Sequence, residues 1–243
     1  MGIVISGRGL TTYGPRAVTS DGLVLYFDAH NSRSGGNAVT WYDMIGGYTL
    51  TMYGSPTYNT SGYYSFTGSS QYAYSTNIAS CNFYNTGTVE IWSQITDYSN
   101  FYYAPLINQG ASAGWDTDGW GIESWTNPNN QVYGWLHNHA GGIILSAYFG
   151  NETSLGYGFN QYTLTYSRTY IGAYLNGVLI QGYSFSDCQP CGNDMIGQPM
   201  RVTSTYGPPF GQNVGAIKAY NRLLSQDEVT QNYNALKARY GLT

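Results

Sequence analysis

The closing stretch, residues 215–241, constrains the fold most, because it contains the one long helix that the sequence marks clearly. Ser225 is a good N-cap, and Glu228 three residues later completes a capping box. An apolar stripe at helical spacing follows, and it consists of Val229, Tyr233, Leu236 and Tyr240. Gly241 then suits the left-handed position after a helix. The sequence therefore predicts a helix over residues 225–240 that lays its stripe on a larger body.

The rest of the chain favours strands and turns. Among 243 residues there are 26 tyrosines, 8 phenylalanines and 6 tryptophans, which favour strands, and 32 glycines, which favour turns. Short alternating segments run from 23–28 to 215–220, and they give about fourteen predicted strands. Asn176-Gly177 is the strongest hairpin turn. This pattern predicts an all-β, two-sheet antiparallel sandwich closed by one C-terminal helix, rather than alternating β and α elements.

An extended N-terminal arm, residues 1–20, is expected to precede a single domain over residues 21–243. The arm has four glycines and a proline, so it extends easily but builds no core of its own. It is either a frayed terminus or a segment that orders on a partner. The candidate partner-binding residues are Ile3, Val4, Ile5, Arg8, Tyr13 and Arg16.

The composition excludes some classes of function. Only 9% of the residues are charged and the formal net charge is −4, which argues against binding to a phosphate backbone. A surface rich in neutral polar groups is common in carbohydrate-binding and virion β-proteins. We expect neither a signal peptide nor a transmembrane helix, and three cysteines do not form a disulfide framework.

Several stretches together resemble the laminin-G-like, concanavalin A-like jelly-roll domain. They read GLVLYFDAHN (22–31), TWYDMIGG (40–47), FTGSSQYAY (66–74), GTVEIWSQI (87–95), IGAYLNGVLI (171–180) and AIKAYNRLLSQDEVTQNYNALKARYG (216–241). The order and the closing motif are similar to those of structural proteins of tailed phages, notably phages of cyanobacteria. The resemblance implies two antiparallel sheets packed face to face, and a virion component such as a capsid decoration or fibre protein.

Residue patterns for catalysis are missing. A retaining glycosidase needs two carboxyl groups about 5–5.5 Å apart, whereas Glu90 is the only acidic residue of its strand. We therefore expect Glu90 to be a surface residue or a partner between strands. The sequence contains no G-x-S-x-G, H-E-x-x-H or phosphate-binding loop, so we predict that the protein is not an enzyme.

The loops over residues 111–139 are the candidate ligand site, with the motif WDTDGW at 115–120. Tryptophans can stack on sugar rings, and the candidate carbohydrate-binding residues are Trp115, Asp116, Asp118, Trp120 and Trp125. The alternative, which we favour for Trp120, Trp125 and Trp135, is that they fill the core. Asp116, Asp118 and Glu123 are candidate calcium ligands only, because the full calcium-loop spacing is missing.

Cys188 and Cys191 have the spacing of a metal or redox pair. Zinc would need a second ligand pair, for which only Cys81, His137 and His139 are available. Two ordinary thiols in a turn is the favoured interpretation, so we expect no metal and no cofactor other than the weak calcium candidate.

The sequence thus predicts a non-enzymatic virion structural protein, assembled in the host cytoplasm as a homo-oligomer. It would bind other capsid or fibre subunits through the arm and the sheet edges, and it could add adhesion to a cell-surface glycan. The alternative is a carbohydrate-binding, lectin-like module that uses the 111–139 loops. Neither nucleic acid nor membrane is an expected partner.

Overall fold

The computed structural model describes residues 17–67, 70–75, 78, 86–98, 105–110, 119–125, 130–138, 143–186, 199–203 and 211–243. Its strands are β1 (Leu23–Asp28), β2 (Thr40–Tyr42), β3 (Thr49–Tyr53), β4 (Thr57–Asn59), β5 (Tyr63–Phe66), β6 (Tyr72–Ser75), β7 (Gly87–Asp97), β8 (Pro105–Gly110), β9 (Gly119–Trp125), β10 (Gln131–Asn138), β11 (Ile143–Asn151), β12 (Phe159–Ser167), β13 (Tyr170–Leu175), β14 (Val178–Ser184), β15 (Met200–Val202) and β16 (Gly211–Tyr220). The helices are α1 (Glu152–Leu155), α2 (Gln226–Leu236) and a 3-10 turn (Lys237–Tyr240).

The strands form two antiparallel sheets of eight strands each. Sheet A has the order β14-β13-β12-β7-β16-β5-β4, and β1 pairs with the C-terminal half of β16 beside β5. Sheet B has the order β11-β10-β9-β8-β15-β6-β3-β2. The predicted all-β sandwich with one C-terminal helix is confirmed.

The core lies between the two sheets. Each strand alternates, so one set of side chains from each sheet faces inward. Phe149 of sheet B meets Tyr162 of sheet A with ring centroids 5.6 Å apart. At Gly134 the sheets approach so closely that a Cβ atom would lie 2.3 Å from Leu164. Any larger residue at this position would require Leu164 to shift.

Helix α2 covers the outer face of sheet A. The capping box between Ser225 and Glu228 is present, and Gly241 has a φ of 75° after the 3-10 turn. Leu236 packs with Trp92 of β7, while Tyr240 stacks on the same indole at 4.7 Å. The predicted helix is confirmed, although its last turn is 3-10 rather than α.

Two ion pairs lie in the layer between sheet A and the C-terminal helical segment. Glu90 and Lys218 are cross-strand neighbours on β7 and β16, and their charged groups form an ion pair that is fully buried. Asp28 and Arg239 form a second pair at 2.7 Å, in which the aspartate is almost fully buried. Glu90 is therefore a partner between strands, as expected, but it is not at the surface.

Residues 17–20, assigned to the arm by the sequence, pack on the domain. The backbone N–H of Thr19 donates to Asn232 of α2 at 2.7 Å, and Gln231 donates to the carbonyl of Ala17 at 2.7 Å. The packed domain therefore includes these residues, because two side chains of α2 satisfy their backbone groups.

Most predicted strands coincide with observed ones, and the Asn176-Gly177 turn has the positive φ values of a tight hairpin, 51° and 82°. Strands β4 and β15 and the short helix α1 were not predicted. Among the described residues, no helix is long and apolar enough to span a membrane.

Replacing Leu236 with alanine tests the docking of α2. Leu236 is only 2% exposed, so we expect its loss to lower the free energy of unfolding by about 2–5 kcal/mol through lost burial and a cavity. Asp227→Asn, at an exposed position of the same helix, should change it by about 0.5 kcal/mol or less. Denaturant melts of the two variants measure the difference, and equal stability would contradict the packing of α2.

Candidate functional site

The outer face of sheet B is the candidate site. The outer face of sheet A lies under α2, whereas that of sheet B presents a row of cross-strand neighbours over all eight strands. The row consists of Thr40, Thr51, Tyr74, Arg201, Asn108, Gly121, Trp135 and Ser146. Rows of residues on one face of a sheet are held in fixed relative positions. We call this surface the aromatic face, and its aromatic members are Tyr53, Tyr72, Tyr74, Trp125, Tyr133, Trp135 and Tyr148.

Trp135 lies flat on the sheet over Gly121. A Cβ atom at position 121 would stand 2.6 Å from the indole atoms Cε2 and Nε1 of Trp135, so no other residue type leaves this space free. The indole is half-buried. One of its ring faces rests on the strand, and the arrangement is that of a rigid aromatic platform. Such a platform provides apolar area for an apolar ring face.

The side-chain amide of Asn108 lies beside this platform, and its oxygen is of interest. Asn108 is the neighbour of Gly121 on β8, and its side chain is only 4% exposed. Its Oδ1 atom accepts no hydrogen bond from any group in the described part of the chain. Buried polar atoms without partners are rare and costly, so each one calls for an explanation such as a bound water, an ion or a functional role. Asn108 is thus a candidate to accept a hydrogen bond from a ligand on Trp135.

Glu123 supplies a carboxyl group on the same face. Burial raises its pKa to about 7, and the indole N–H of Trp135 opposes this shift in part. By the geometric criteria for a hydrogen bond, that N–H has no partner in the described part of the chain. Burial, and not a second carboxylate, causes the raised pKa. Near neutral pH, Glu123 is therefore present in both forms and can donate or accept a hydrogen bond.

Further aromatic rings extend the face on both sides of the platform. Tyr133 packs against Tyr148 at 5.4 Å and against Trp125 at 6.4 Å. On the far strands, Tyr53 and Tyr72 stack in parallel at 4.7 Å. The guanidinium of Arg201 lies over Tyr74, 5.4 Å from the ring centroid. The face thus combines broad apolar rings with a few polar groups, which is the composition of small-molecule sites.

The raised pKa of Glu123 gives a pH-dependent prediction for stability. Its folded-state pKa of about 7 is above the ordinary 4.5, so the folded state favours the protonated form. The resulting stability is present below about pH 4.5 and is lost as the pH rises through about 7. Glu123→Gln keeps the neutral form, so we expect it to raise the melting temperature at about pH 8 and to change it little at about pH 4.

Glu152→Gln is the matched control, because hydrogen bonds from Asn130 and Tyr157 lower the pKa of this exposed carboxyl group. This variant should not be stabilised at the higher pH. Thermal melts at both pH values decide the matter. An equal effect of Glu123→Gln at the two pH values would show that its carboxyl group titrates normally.

The predicted sugar-binding tryptophans divide between the core and the aromatic face. Trp120 is fully buried in the core, where its indole donates to Gln109 at 3.2 Å, so it offers no ring face to a sugar. Trp125 lies half-exposed on the aromatic face. The favoured core placement is therefore right for Trp120 and wrong for Trp125 and Trp135. The alternation of β9 and β10 causes this division.

Many other predicted positions lie outside the described residues. They are Ile3, Val4, Ile5, Arg8, Tyr13, Arg16, Cys81, Trp115, Asp116, Asp118, His139, Cys188 and Cys191. The weak calcium site accordingly stays a prediction, with only Glu123 placed. The described residues contain no group of three or more histidine, cysteine, aspartate or glutamate side chains that could hold a metal ion.

Known proteins resemble this chain in three-dimensional structure but not in sequence. No protein-family model matches the chain, and no curated protein matches its sequence. The fold is similar to the ligand-binding domain of botulinum neurotoxin serotype D in complex with N-acetylneuraminic acid, with a TM-score of 0.70 and 15% identity over 88% of this chain and 51% of that one.

Two further neighbours are of the same kind. The receptor-binding domain of the botulinum neurotoxin C/D mosaic serotype has a TM-score of 0.65, 14% identity and coverage of 88% and 51%. The binding domain of botulinum neurotoxin DC in complex with SialylT has a TM-score of 0.66, 14% identity and coverage of 89% and 52%. This chain spans about half the length of each neighbour. At such low identity the likeness establishes the jelly-roll sandwich fold and nothing finer.

Proposed function

We propose that the protein binds carbohydrate, without catalysis, on the aromatic face of sheet B. The observation that carries this proposal is the Trp135 platform over Gly121 with Oδ1 of Asn108 beside it, an atom that has no hydrogen-bond partner among the described residues. A sugar ring has an apolar face of C–H groups and an edge of hydroxyl groups. The indole suits the apolar face, and Asn108 and Glu123 suit the hydroxyl groups.

The composition and the comparisons support the same proposal. The surface has few charges, so recognition relies on stacking and on neutral hydrogen bonds. Two of the similar domains were solved as complexes, one with N-acetylneuraminic acid and the other with SialylT. These ligands belong to those proteins. The proposed site keeps the predicted Trp125 and adds Trp135, both on strands within the predicted stretch 111–139, and it does not rely on Trp115, which lies outside the described residues.

A glycan array probed with the full chain tests the proposal. The array should contain neutral oligosaccharides, sialylated glycans, other acidic glycans and bacterial surface polysaccharides. We expect the protein to bind at least one of these classes, and free glycan of that class to compete. Binding to no class, by a chain that gives a cooperative melt, would contradict the proposal.

The virion role, with its homo-oligomer, stays a prediction from the resemblance. It is compatible with glycan binding, because a decoration or fibre protein can also adhere to a host surface. Its test is co-purification with virus particles. We expect deletion of residues 1–16 to leave the sandwich folded and to reduce incorporation, and unchanged incorporation would contradict the arm's role.

A further inference from the structure

Three side chains under α2 form a fully buried cluster around one carboxylate. Glu90 is on β7, Lys218 is its neighbour on β16, and Asn232 projects from α2. The Lys218 ammonium contacts Oε1 of Glu90, while Nδ2 of Asn232 donates to Oε2 of Glu90 at 3.0 Å. None of the three is exposed to solvent. An amine, a carboxamide and a carboxylate are thus held together in the interior.

The carboxamide of Asn232 is polarised from its other side. The backbone N–H of Thr19 donates to Oδ1 of Asn232 at 2.7 Å. A donor in this position stabilises the negative charge that develops on a carbonyl oxygen under nucleophilic attack. The hydroxyl of Tyr220 accepts a second hydrogen bond from Nδ2 at 2.8 Å, which fixes the orientation of the amide.

The layer that contains Lys218 is buried and rich in aromatic rings. The rings of Tyr26, Trp92 and Tyr220 lie in this buried layer, and the ammonium of Lys218 is 5.6 Å from the ring centroid of Tyr26. Burial lowers the pKa of Lys218, although Glu90 opposes the shift. Loss of a proton to Glu90 would give the uncharged amine, which is the nucleophilic form of lysine.

We propose that Lys218 and Asn232 form an intramolecular amide cross-link, with Glu90 as the proton carrier. In this step Nζ of Lys218 moves from Oε1 of Glu90 onto Cγ of Asn232, and a C–N bond forms. Glu90 first accepts a proton from the ammonium, which leaves an uncharged amine. As the C–N bond forms, protonated Glu90 gives its proton to Nδ2 and takes a second one from Nζ, the Cγ–Nδ2 bond breaks, and ammonia leaves while Glu90 stays protonated. The oxidation states do not change, and neither a cofactor nor a co-reactant is required.

The cross-link would join the central strand of sheet A to the helix that covers it. Residues between 218 and 232 would form a closed covalent loop, so α2 could not leave the sheet on heating. A loop closed in the unfolded chain stabilises the folded state by reducing the entropy of unfolding. It would also remove a buried charge pair, which is costly to desolvate.

The mass of the denatured, full-length protein tests this proposal. We expect a mass below that of the sequence by one molecule of ammonia. Trypsin should not cleave after Lys218, and it should release one branched peptide that joins residues 202–222 to residues 223–237. A mass equal to that of the sequence, or loss of ammonia without the branched peptide, would overturn the proposal.

Two lysine variants complete the test. Lys218→Arg keeps a positive charge but cannot form this amide, so its mass should equal that of its own sequence. Lys237→Arg removes the other lysine near α2 and should still lose ammonia. Loss of ammonia by Lys218→Arg, or its absence in Lys237→Arg, would show that Lys218 is not the amine involved. These outcomes are independent of whether the protein binds carbohydrate.

Discussion

Replacing Trp135 by alanine should lower the affinity for the bound glycan about tenfold or more and leave the sandwich folded. The variant removes the platform over Gly121 but takes nothing from the core, because Trp135 lies on the outer face of β10. Full burial of a large apolar side chain is worth about 1.5–3 kcal/mol, and 1.4 kcal/mol corresponds to about tenfold in affinity. Isothermal titration with the glycan selected on the array measures the loss.

Gly121→Val tests the same platform without deleting it. The added side chain would occupy the space of the Trp135 indole and push the ring off the strand. Affinity should fall as far as in Trp135→Ala. Tyr157→Ala is the control, since Tyr157 is 58% exposed and lies outside the aromatic face. Wild-type affinity in Trp135→Ala, or an equal loss in Tyr157→Ala, would contradict the proposed site.

Lys218→Met should give the largest loss of stability, about 3–5 kcal/mol or more, because it leaves the carboxylate of Glu90 buried without a counter-charge and also removes the amine of the proposed cross-link. Glu90 would keep its hydrogen bonds from Trp92 and Asn232, which do not neutralise it. Denaturant melts measure the change. Lys237→Met is the control, because Lys237 lies over the ring of Tyr233 near the surface and should contribute about 1 kcal/mol or less.

The double variant Lys218→Met, Glu90→Gln separates charge from packing. It removes both charges and keeps the approximate volume of each side chain. Neutral replacement of a buried ion pair often costs little or is stabilising. We therefore expect the double variant to recover the part of the stability that Lys218→Met loses through the unpaired charge, whereas the proposed cross-link is absent from both variants. Equal instability of the two variants would show that the unpaired charge is not the cause.

The fold was largely predictable because its signals are local. The capping box at Ser225 and the positive-φ turn at Asn176-Gly177 are set by residues adjacent in sequence, and the structure shows both. Strands β4 and β15 have only three residues each, too few for an alternating pattern to show. Their pairing depends on distant partners, and sequence periodicity does not reveal these.

The site was less predictable, for a reason visible in β10. Val132, Gly134 and Leu136 face the core, whereas Tyr133 and Trp135 face outward, so the aromatic residues lie opposite to where a hydrophobic core would place them. The alternation of small or aliphatic residues with aromatic ones along β10 was the signal in the sequence that the aromatic residues face outward. That Asn108 and Gly121 become neighbours depends on register between strands, which local sequence does not specify.

The indole N–H signals in a nitrogen–proton NMR spectrum test the central claim most directly. The chain has 6 tryptophans, and single substitutions assign each signal. On titration with the selected glycan, we predict that the signals of Trp125 and Trp135 shift, while those of the buried Trp41, Trp92 and Trp120 stay in place. A shift of the Trp115 signal with no change at Trp135 would contradict the aromatic face as the binding site and favour the loop instead.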